Sequence, residues 1–365
     1  MAIQIIKIDG SNESSFIDLP YVIYKNDPEF IPHIEQDIKD VFNPKKNKYL
    51  EKGEAHRWIA VQDNKTVGRI AAGYKFGEKE GRIGFFESIN DNEVAHLLFK
   101  TAESYLIEKG VIKIEAPVNF GSRDSYWGLM VSGFKRPSYR ENYNPPYYRD
   151  LILSAGYKEE FLQVTSEISP ETFNIERFSK LSSRVLNNPD YEFKHIDYSQ
   201  TDKFAKDFVH IYNKAWEAHD FYVPLTLDEI MRDLKQMKPI VKPEFNWFAY
   251  ANGEPAAFYI NVLDINQVFK HVNGKLNWLG KLKFLWYKGK IDRLRAIVFG
   301  VIPEYQNKGL ETGMIMKMHE EIIKHPQFKS SELAWIGDFN PKMHSLFNSL
   351  GAVTSKEHLT FVKEI

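Results

Sequence analysis

The chain has 365 residues, of which 43% are hydrophobic and 27% charged, and its formal net charge is -1 at neutral pH. This length allows two domains with cores of their own, and this composition excludes an intrinsically disordered chain. The small net charge gives no overall attraction for nucleic acid, and the lack of cysteine excludes disulfides, thiolate metal sites and a cysteine nucleophile.

The first residues do not have the pattern of a targeting segment. Lys7 and Asp9 stand where a secretory signal needs its apolar region, and no apolar run reaches membrane-spanning length. We therefore expect a cytoplasmic protein without stable membrane insertion. The histidines show no paired spacing typical of metal ligands, so we assign no metal site.

Going along the chain, a group of residues near the N-terminus recurs at one offset in the second half. The matching pairs are Ile8 and Ile196, Asp9 and Asp197, Ser11 and Ser199, Phe16 and Phe204, and Tyr24 and Tyr212. One residue further in register, Trp58 and Ala60 match Trp247 and Ala249. An offset that holds over several elements indicates an internal duplication.

Each half has the same predicted order of elements, namely strand, helix, β-hairpin, strand, helix, strand, helix, strand. Asn252-Gly253 between alternating apolar runs favours a tight hairpin turn, and Asp63-Asn64 is its counterpart in the first half. The next strands are predicted at 82–89 and 295–302, and the helical segments after them at 90–110, opening with an Asn/Asp cap, and at 310–324. An Asn-Pro pair opens the short helix of each half, which ends at Gly156 or Gly351.

Residues 295–313 run from an apolar strand through a proline and a polar turn into a helix. A glycine-containing loop at a helix start directs several backbone N–H groups to one place, supported by the positive end of the helix dipole. This pattern predicts a phosphate site in the second half. Residues 90–92 of the first half read Asn-Asp-Asn, which caps a helix well and would bind a phosphate poorly.

The two halves resemble tandem domains of the GNAT acetyltransferase superfamily, and the resemblance covers nearly the whole chain. It rests on two motifs, Val301-Ile-Pro303 followed by Gln306-x-x-Gly309-x-Glu311-Thr312, and residues 340–351 with Leu346-Phe347 before the glycine. The resemblance implies an α/β (α+β) fold of two GNAT-like domains, each a mixed, mostly antiparallel sheet flanked by helices. We expect the first domain at 1–168, a linker helix and turn at 169–190, and the second domain at 191–365.

The same resemblance implies an acyl-CoA-dependent N-acyltransferase that uses acetyl-CoA or another acyl-CoA. An amine would attack the thioester directly, in a cleft between the halves. The first half, without the loop, is expected to bind no cofactor and to cover the second. The cofactor-binding residues implied are Phe299, Val301, Gln306, Asn307, Lys308, Gly309, Leu310, Glu311, Thr312, Gly313, Asn340 and Phe347.

Two of these residues depart from the family pattern. Glu311 places a carboxylate at the small-residue position of the loop, where it would repel a pyrophosphate unless its side chain points away. Phe347 stands where many members of the family have a tyrosine that protonates the departing thiolate. That acid is therefore absent from its usual place.

The acceptor amine must lose a proton, and two carboxylates are candidates for the base. Asp338 follows the strand beside the motif strand, and a helix cap or solvated strand end explains it equally well. Glu304 lies at the loop entrance, where a surface role is the better explanation.

The first half carries an aromatic, glycine-rich segment at 119–148, where the acceptor site of a GNAT protein would lie. It could line a pocket for a small-molecule or peptide amine, or it could be a hairpin that packs on the core through its aromatic side chains. The candidate substrate residues are Arg123, Asp124, Tyr126, Tyr143, Asn144 and Tyr147.

Residues 277–295 predict a helix with Trp278, Leu282, Leu285 and Trp286 on one face and lysines around them. Such a helix could contact a membrane or an acyl chain. We favour a helix that closes the bottom of the second sheet.

Two other functions remain open from the sequence. Other tandem GNAT proteins use a charged tRNA or a long acyl chain, although the basic surface expected of a tRNA user is not evident and we expect no nucleic-acid partner. A regulatory protein that binds acyl-CoA without catalysis is the second alternative, because of Glu311, Phe347 and the altered first half. The sequence does not predict the acceptor or the oligomeric state.

Overall fold

The computed structural model describes residues 2–217 and 223–365. The strands are β1 Gln4–Lys7, β2 Gly53–Gln62, β3 Lys65–Lys75, β4 Glu80–Ser88, β5 Lys113–Ala116, β6 Leu129–Ser132, β7 Lys158–Ile168, β8 Tyr191–His195, β9 Trp247–Ala251, β10 Glu254–Leu263, β11 Arg293–Val301, β12 Ser330–Gly337 and β13 Val353–Glu364. The α-helices are α1 Glu13–Ile23, α2 Glu35–Val41, α3 Asn92–Glu108, α4 Tyr148–Ser154, α5 Ile175–Leu186, α6 Thr201–Trp216, α7 Leu227–Met237, α8 Asn266–Phe269, α9 Trp278–Lys288, α10 Leu310–Ile322 and α11 Pro341–Leu350. Within the described ranges, no helix has the length and apolar character needed to cross a membrane.

The described strands form one mixed sheet, in which only the pairs β4 with β5 and β11 with β12 are parallel. Its order is β1-β2-β3-β4-β5-β13-β7-β12-β11-β10-β9-β8, and β6 also pairs with β13. The expected α/β fold with a mostly antiparallel sheet and flanking helices is therefore confirmed.

The two halves repeat the same local structure. Asp9 accepts a hydrogen bond from the backbone N–H of Ser11 at 2.7 Å, and Asp197 accepts one from Ser199 at 2.8 Å. The hairpin turns also match, because both central residues have positive φ, at 52° and 59° for residues 63–64 and at 50° and 84° for residues 252–253. Asn and Gly tolerate this left-handed conformation, which fits the twist of two paired strands.

Helices cover both faces of the sheet. In the first half α3 buries Leu98 and Phe99 against the sheet, and in the second half α10 buries Leu310 and Met314 in the same way. The opposite face of the second half is covered by α6, with Phe204 buried. Apolar side chains at helical spacing on one side of each helix explain this layering.

The last strands of the two halves exchange places. β13, the final strand of the chain, pairs with β5 of the first half, where Phe361 lies opposite Ala116. β7, its counterpart in the first half, pairs with β12 of the second half, where Glu167 lies opposite Glu332. Each half thus completes its sheet with a strand from the other, while the expected domain boundaries stay a prediction.

A buried cluster of charges lies where the exchanged strands meet. Lys356 on β13 forms ion pairs with Glu332 on β12, at 2.7 Å, and with Glu141. Arg293 pairs with Glu332 at 3.4 Å and with Asp264 at 2.7 Å. Burial alone would raise the pKa of Glu332, but the neighbouring charges of Lys356, Arg293 and Arg295 outweigh it and hold the pKa below its usual range.

The structure corrects the predicted start of α4. This helix begins at Tyr148 and not at the Asn-Pro pair. The Asn144 side chain is buried, accepts a hydrogen bond from the Met130 N–H at 2.8 Å and donates one to the Met130 carbonyl at 3.0 Å. Asn144 therefore fixes β6, whereas Asn340 caps α11 as predicted, with its side chain accepting from Met343.

The helix predicted within residues 277–295 is present as α9, but Trp278, Leu282, Leu285 and Trp286, which share its predicted apolar face, are all exposed. The helix packs on the core of the second half through Phe284 and Tyr287 instead. The sequence pattern predicts which apolar residues share a face of the helix. It does not predict which of two apolar faces packs against the rest of the protein.

Lys356→Met tests how much the buried charge cluster contributes to the stability of the fold. Removing one partner leaves two carboxylates without their shared cation, so we expect a loss of about 3–5 kcal/mol in the free energy of unfolding, measured by chemical denaturation. Lys363→Met is the matched control, because Lys363 is on the same strand and pairs with Glu103 at 2.8 Å but is partly exposed. A loss of about 1 kcal/mol is expected there, and equal losses in both variants would contradict the special role of Lys356.

Candidate functional site

Two parallel strands separate at the centre of the second half. β11 and β12 pair only over residues 293–296 and 330–333. Beyond this point β11 pairs only with β10, and β12 pairs only with β7. A wedge therefore opens between β11 and β12, and backbone groups of β11 that face it have no strand partner.

A cavity of about 930 Å³ occupies this wedge and extends to both faces of the sheet. Its lining is mainly apolar and comes from β10, β11 and β12, from α6, α7, α10 and α11, and from the first half. Phe173, Phe204, Trp335 and Phe347 are examples of the apolar lining. Asp124 and Arg140 are the contributions of the first half that carry charge.

The loop that follows β11 leads directly into α10. Asn307 and Gly309 adopt positive φ, at 62° and 86°. No side chain caps the helix, and a Cβ at Gly309 would meet the Val185 side chain at 2.8 Å. Within residues 303–317, all of which are described, the backbone N–H groups of Gly309, Leu310 and Glu311 have no hydrogen-bond acceptor. Three free donors at the positive end of a helix of 13 residues form a site suited to a phosphate.

The other loop residues that were predicted to bind the cofactor make contacts within the protein. Thr312 donates its hydroxyl proton to the Gly309 carbonyl at 2.7 Å, and Gly313 packs so closely on Phe193 that a Cβ would lie 2.4 Å from the ring. Gln306 donates to the Val301 carbonyl at 3.3 Å. Lys308 is exposed, with its ammonium 4.8 Å from the centre of the Tyr305 ring.

Glu311 is the residue that fits this phosphate site least. It lies in the first turn of α10 and is half-buried. One of its carboxylate oxygens is buried and receives no hydrogen bond in the described structure. The described residues therefore supply no hydrogen-bond donor to this buried oxygen.

The two candidate bases lie outside the cavity. The Asp338 carboxylate accepts a hydrogen bond from the Leu162 N–H at 3.2 Å, and the Asp338 N–H donates to the Leu162 carbonyl at 2.9 Å. This pairing joins the end of β12 to β7. Glu304 is exposed on the short turn Pro303–Tyr305. A catalytic role for either residue stays a prediction.

The structure does not bring the six candidate substrate residues together, and only Asp124 lines the cavity. Arg123 forms an ion pair with Glu115 at 3.1 Å, and the other four are held inside the first half. Tyr126 is buried, Asn144 binds β6, and the hydroxyls of Tyr143 and Tyr147 donate to Asp27 and to the Ser88 carbonyl.

Several titratable groups in the cavity lining were not found by sequence reasoning. His319 on α10 stacks on Phe173 with ring centres 4.4 Å apart, and burial lowers its pKa. Burial raises the pKa of Asp233 and also that of Tyr259 on β10. Arg295 donates to the Tyr139 carbonyl at 2.9 Å. Their sequence surroundings resemble those of ordinary core and surface residues, so no motif marks them.

The corresponding wedge of the first half is filled by the chain itself. β4 and β5 also separate early, after residues 80–82 and 113–115. Val118 enters the space and donates its N–H to the Ile83 carbonyl at 2.8 Å, and a Cβ at Gly84 would lie 1.9 Å from the Val118 carbonyl oxygen. At the start of α3, Asp91 accepts the N–H groups of Glu93 and Val94. Both the space and the free donors are therefore absent here.

The fold is similar to that of solved GNAT structures, one of which is a tandem GNAT protein. The solved structure of a tandem GNAT protein from the clavulanic acid biosynthesis pathway matches with a TM-score of 0.58, over 100% of this chain and 98% of that chain, at 12% identity. The expected resemblance to the GNAT superfamily is thus confirmed at the level of the fold.

Two curated relatives align with almost the whole chain. One is named bacterial ceramide synthase, from Caulobacter vibrioides (strain NA1000 / CB15N), and is 23% identical over 96% of this chain and 94% of its own length. The other is named protein YghO, from Escherichia coli (strain K12), and is 25% identical over 98% of this chain and 94% of its own length. No family model matches the chain.

Glu311→Gln tests the electrostatic cost of this carboxylate. Removing a charge close to the phosphate site should tighten CoA binding by about 1 kcal/mol, which is about fivefold in Kd, measured by calorimetric titration. Glu320→Gln, near the other end of the same helix, is the control and should change the Kd by less than about twofold. Weaker CoA binding by Glu311→Gln would show that this carboxylate supports the ligand.

Proposed function

We propose that the protein is an acyl-CoA-dependent N-acyltransferase whose cofactor binds to the second half. One observation carries the proposal: the uncapped start of α10, with its free N–H groups, lies at the end of the strand that borders the wedge. A pyrophosphate on this helix start and a pantetheine chain along β11 would lead a thioester into the cavity. The cofactor supplies an activated acyl group.

The residues of the loop fit such a ligand in charge and shape. The donors of Gly309, Leu310 and Glu311 are fixed by the helix, so no reorganisation is needed to bind a phosphate. Lys308 adds a positive charge at the surface. Phe299, Asn340 and Phe347 line the cavity beyond the loop, and the wedge-facing backbone of β11, with Val301 at its end, offers hydrogen bonds to the pantetheine amides.

The cavity favours a substrate with a long apolar group. Its size lies toward the upper end of the range of about 300–1,000 Å³ typical for small-molecule sites, and its walls are mainly aromatic and aliphatic. A ceramide is a long-chain amino alcohol acylated on nitrogen, and the relative named for its synthesis aligns along almost the whole chain. We propose a lipid-like amine, a long acyl chain, or both as the occupants.

Proton transfer is assigned to the groups that line the cavity. Asp124, Asp233 and His319 are its described carboxylates and imidazole. Burial lowers the pKa of His319, so its imidazole is neutral at neutral pH and can accept the proton of the attacking amine. The apolar walls exclude the water that would otherwise compete with this amine.

Tyr259 is the proposed donor of a proton to the departing sulfur. It packs on the same apolar cluster as Phe347, the residue that replaces the usual tyrosine. Burial alone raises the pKa of Tyr259, so the phenol keeps its proton at neutral pH. Its ring lies beside Phe299 of β11, with centres 5.5 Å apart, and it lines the cavity. In this proposal Tyr259 of β10 takes the role of the tyrosine that Phe347 replaces.

Gly309→Asp tests cofactor binding. The added carboxylate would stand among the free N–H groups and repel a pyrophosphate, so we expect the affinity for CoA to fall by about 100-fold or more in calorimetric titration. Gly309→Ala is the matched control, because it has the same positive φ of 86° and the same Cβ contact with Val185 but adds no charge. It should lose much less affinity for CoA than Gly309→Asp, and an equal loss would assign the effect to this contact and not to charge.

The same titration compares CoA, acetyl-CoA and palmitoyl-CoA below its micelle concentration. Affinity that rises with chain length in the wild type would support a long acyl chain in the cavity. Equal affinity for all three ligands would indicate that the amine, and not the acyl chain, occupies the cavity. No binding of any of them by the wild type would refute the proposal.

Tyr259→Phe and Phe347→Tyr test the proton donor. We expect Tyr259→Phe to lower turnover by about 100-fold, a typical contribution of a general acid, while the Kd for CoA stays within about twofold. Turnover is measured as release of free thiol with a panel of amines that includes long-chain amino alcohols. The double variant Tyr259→Phe/Phe347→Tyr should recover part of the lost rate.

A parallel loss of CoA binding in Tyr259→Phe would instead assign this residue a packing role. A wild-type protein that binds CoA but releases no thiol with any amine of the panel would favour the regulatory alternative.

A further inference from the structure

One connection differs strongly between the two halves. In the first half a turn of residues 76–79 joins β3 to β4. In the second half the corresponding β10 and β11 are joined by residues 264–292, which form α8 and α9. The duplication and the sheet need only a short turn here, so the fold does not explain these two helices.

One side of α9 is fixed to the body. Phe284 packs against Phe269 of α8, with ring centres 6.2 Å apart, and Tyr287 stacks on His271 at 3.8 Å. Gly280 is buried, and a Cβ there would lie 2.3 Å from the Lys275 carbonyl oxygen. The inner side of α9 is therefore packed against the protein, and these contacts fix the orientation of the helix.

The outer side of α9 is apolar and uncovered. The exposed fractions are 69% for Trp278, 50% for Leu279, 55% for Leu282, 69% for Leu285 and 75% for Trp286. At 3.6 residues per turn these five side chains cover an arc of about 120° on the helix. Monomeric soluble proteins rarely leave such a contiguous surface in water.

Positive charge surrounds this apolar arc. Residues 265–290 contain six lysines and no aspartate or glutamate, in a chain whose net charge is -1. On the helix Lys283 borders one edge of the arc, and Lys281 and Lys288 border the other. Tryptophan and leucine on one face with lysines at its margins is the composition of helices that lie in a membrane interface.

We propose that the outer face of α9 docks on the surface of a bilayer that contains anionic phospholipids. The tryptophans and leucines would enter the boundary between head groups and acyl chains, and the flanking lysines would meet the phosphates. Charge complementarity favours this occupant over a second copy of the chain, because two copies of this face would bring lysines against lysines. The inference is independent of the proposed enzymatic function.

Binding to vesicles tests the proposal with the full chain and without substrate. The wild type should sediment with vesicles of phosphatidylglycerol and phosphatidylcholine, and at least tenfold less with phosphatidylcholine alone. Trp278→Ser/Trp286→Ser should reduce binding to the anionic vesicles by at least tenfold. Phe76→Ser is the control, because Phe76 is 60% exposed on the short turn that corresponds to this connection.

The charged margin is tested in the same assay. Lys281→Gln/Lys288→Gln should weaken binding several-fold and reduce its dependence on salt. Lys45→Gln/Lys46→Gln, which removes two exposed lysines from the first half, should leave binding unchanged. Equal effects of the two pairs would overturn the assignment of α9.

A second readout does not depend on weakened variants. Brominated lipids should quench tryptophan fluorescence of the wild type, and Trp278→Phe/Trp286→Phe should keep vesicle binding but lose most of the quenching. Absence of wild-type binding to anionic vesicles would refute the proposal. So would a wild-type dimer in solution that Trp278→Ser/Trp286→Ser converts to monomer, since the face would then join two copies.

Discussion

The ion pairs of Lys356 hold the two halves of the molecule to each other. Lys356 is on the final strand, yet its partners are Glu332 on β12 and Glu141 in the first half. A buried charge is costly unless paired, so β13 can occupy its place only when both halves are folded around it. The exchange of β7 and β13 thus couples the halves, and the wedge beside β12 depends on the coupling because β7 holds the other edge of β12.

The duplication left the same wedge in both halves, but only one is open. In the first half the segment after β5 enters the gap through Val118, and Asp91 uses the N–H groups at the start of α3. In the second half Gly309 provides no side chain to do so. One residue at a helix cap therefore separates a structural helix start from one that can bind an anion, because an aspartate there satisfies the same donors that a phosphate would.

Sequence reasoning reached the fold because its signals are local or periodic. The offset between Trp58 and Trp247, the turns at 63–64 and 252–253, and the loop at Gly309 each depend on neighbouring residues. The cavity lining could not be predicted in the same way, because Asp233, Tyr259 and His319 come from three separate elements and line one cavity only through packing. Nor could the exchange of β7 and β13 be predicted, because equivalent strands have equivalent patterns and either could pair with β5.

The differences between the two copies point to function more clearly than what they share. What is shared, such as the hairpins and the helices packed on the sheet, is what the fold needs in order to be stable. The two halves depart from each other mainly in connections: residues 117–147 between β5 and α4, and residues 264–292 between β10 and β11. Connections at strand ends tolerate added residues at small cost in loop entropy, so additions there are retained when they do something else. The first addition closes one wedge and contributes Asp124, Tyr139 and Arg140 to the wall of the other. The second connection exposes Trp278 and Trp286 on the surface of the protein. Its exposed apolar face is therefore suited to a contact outside the chain.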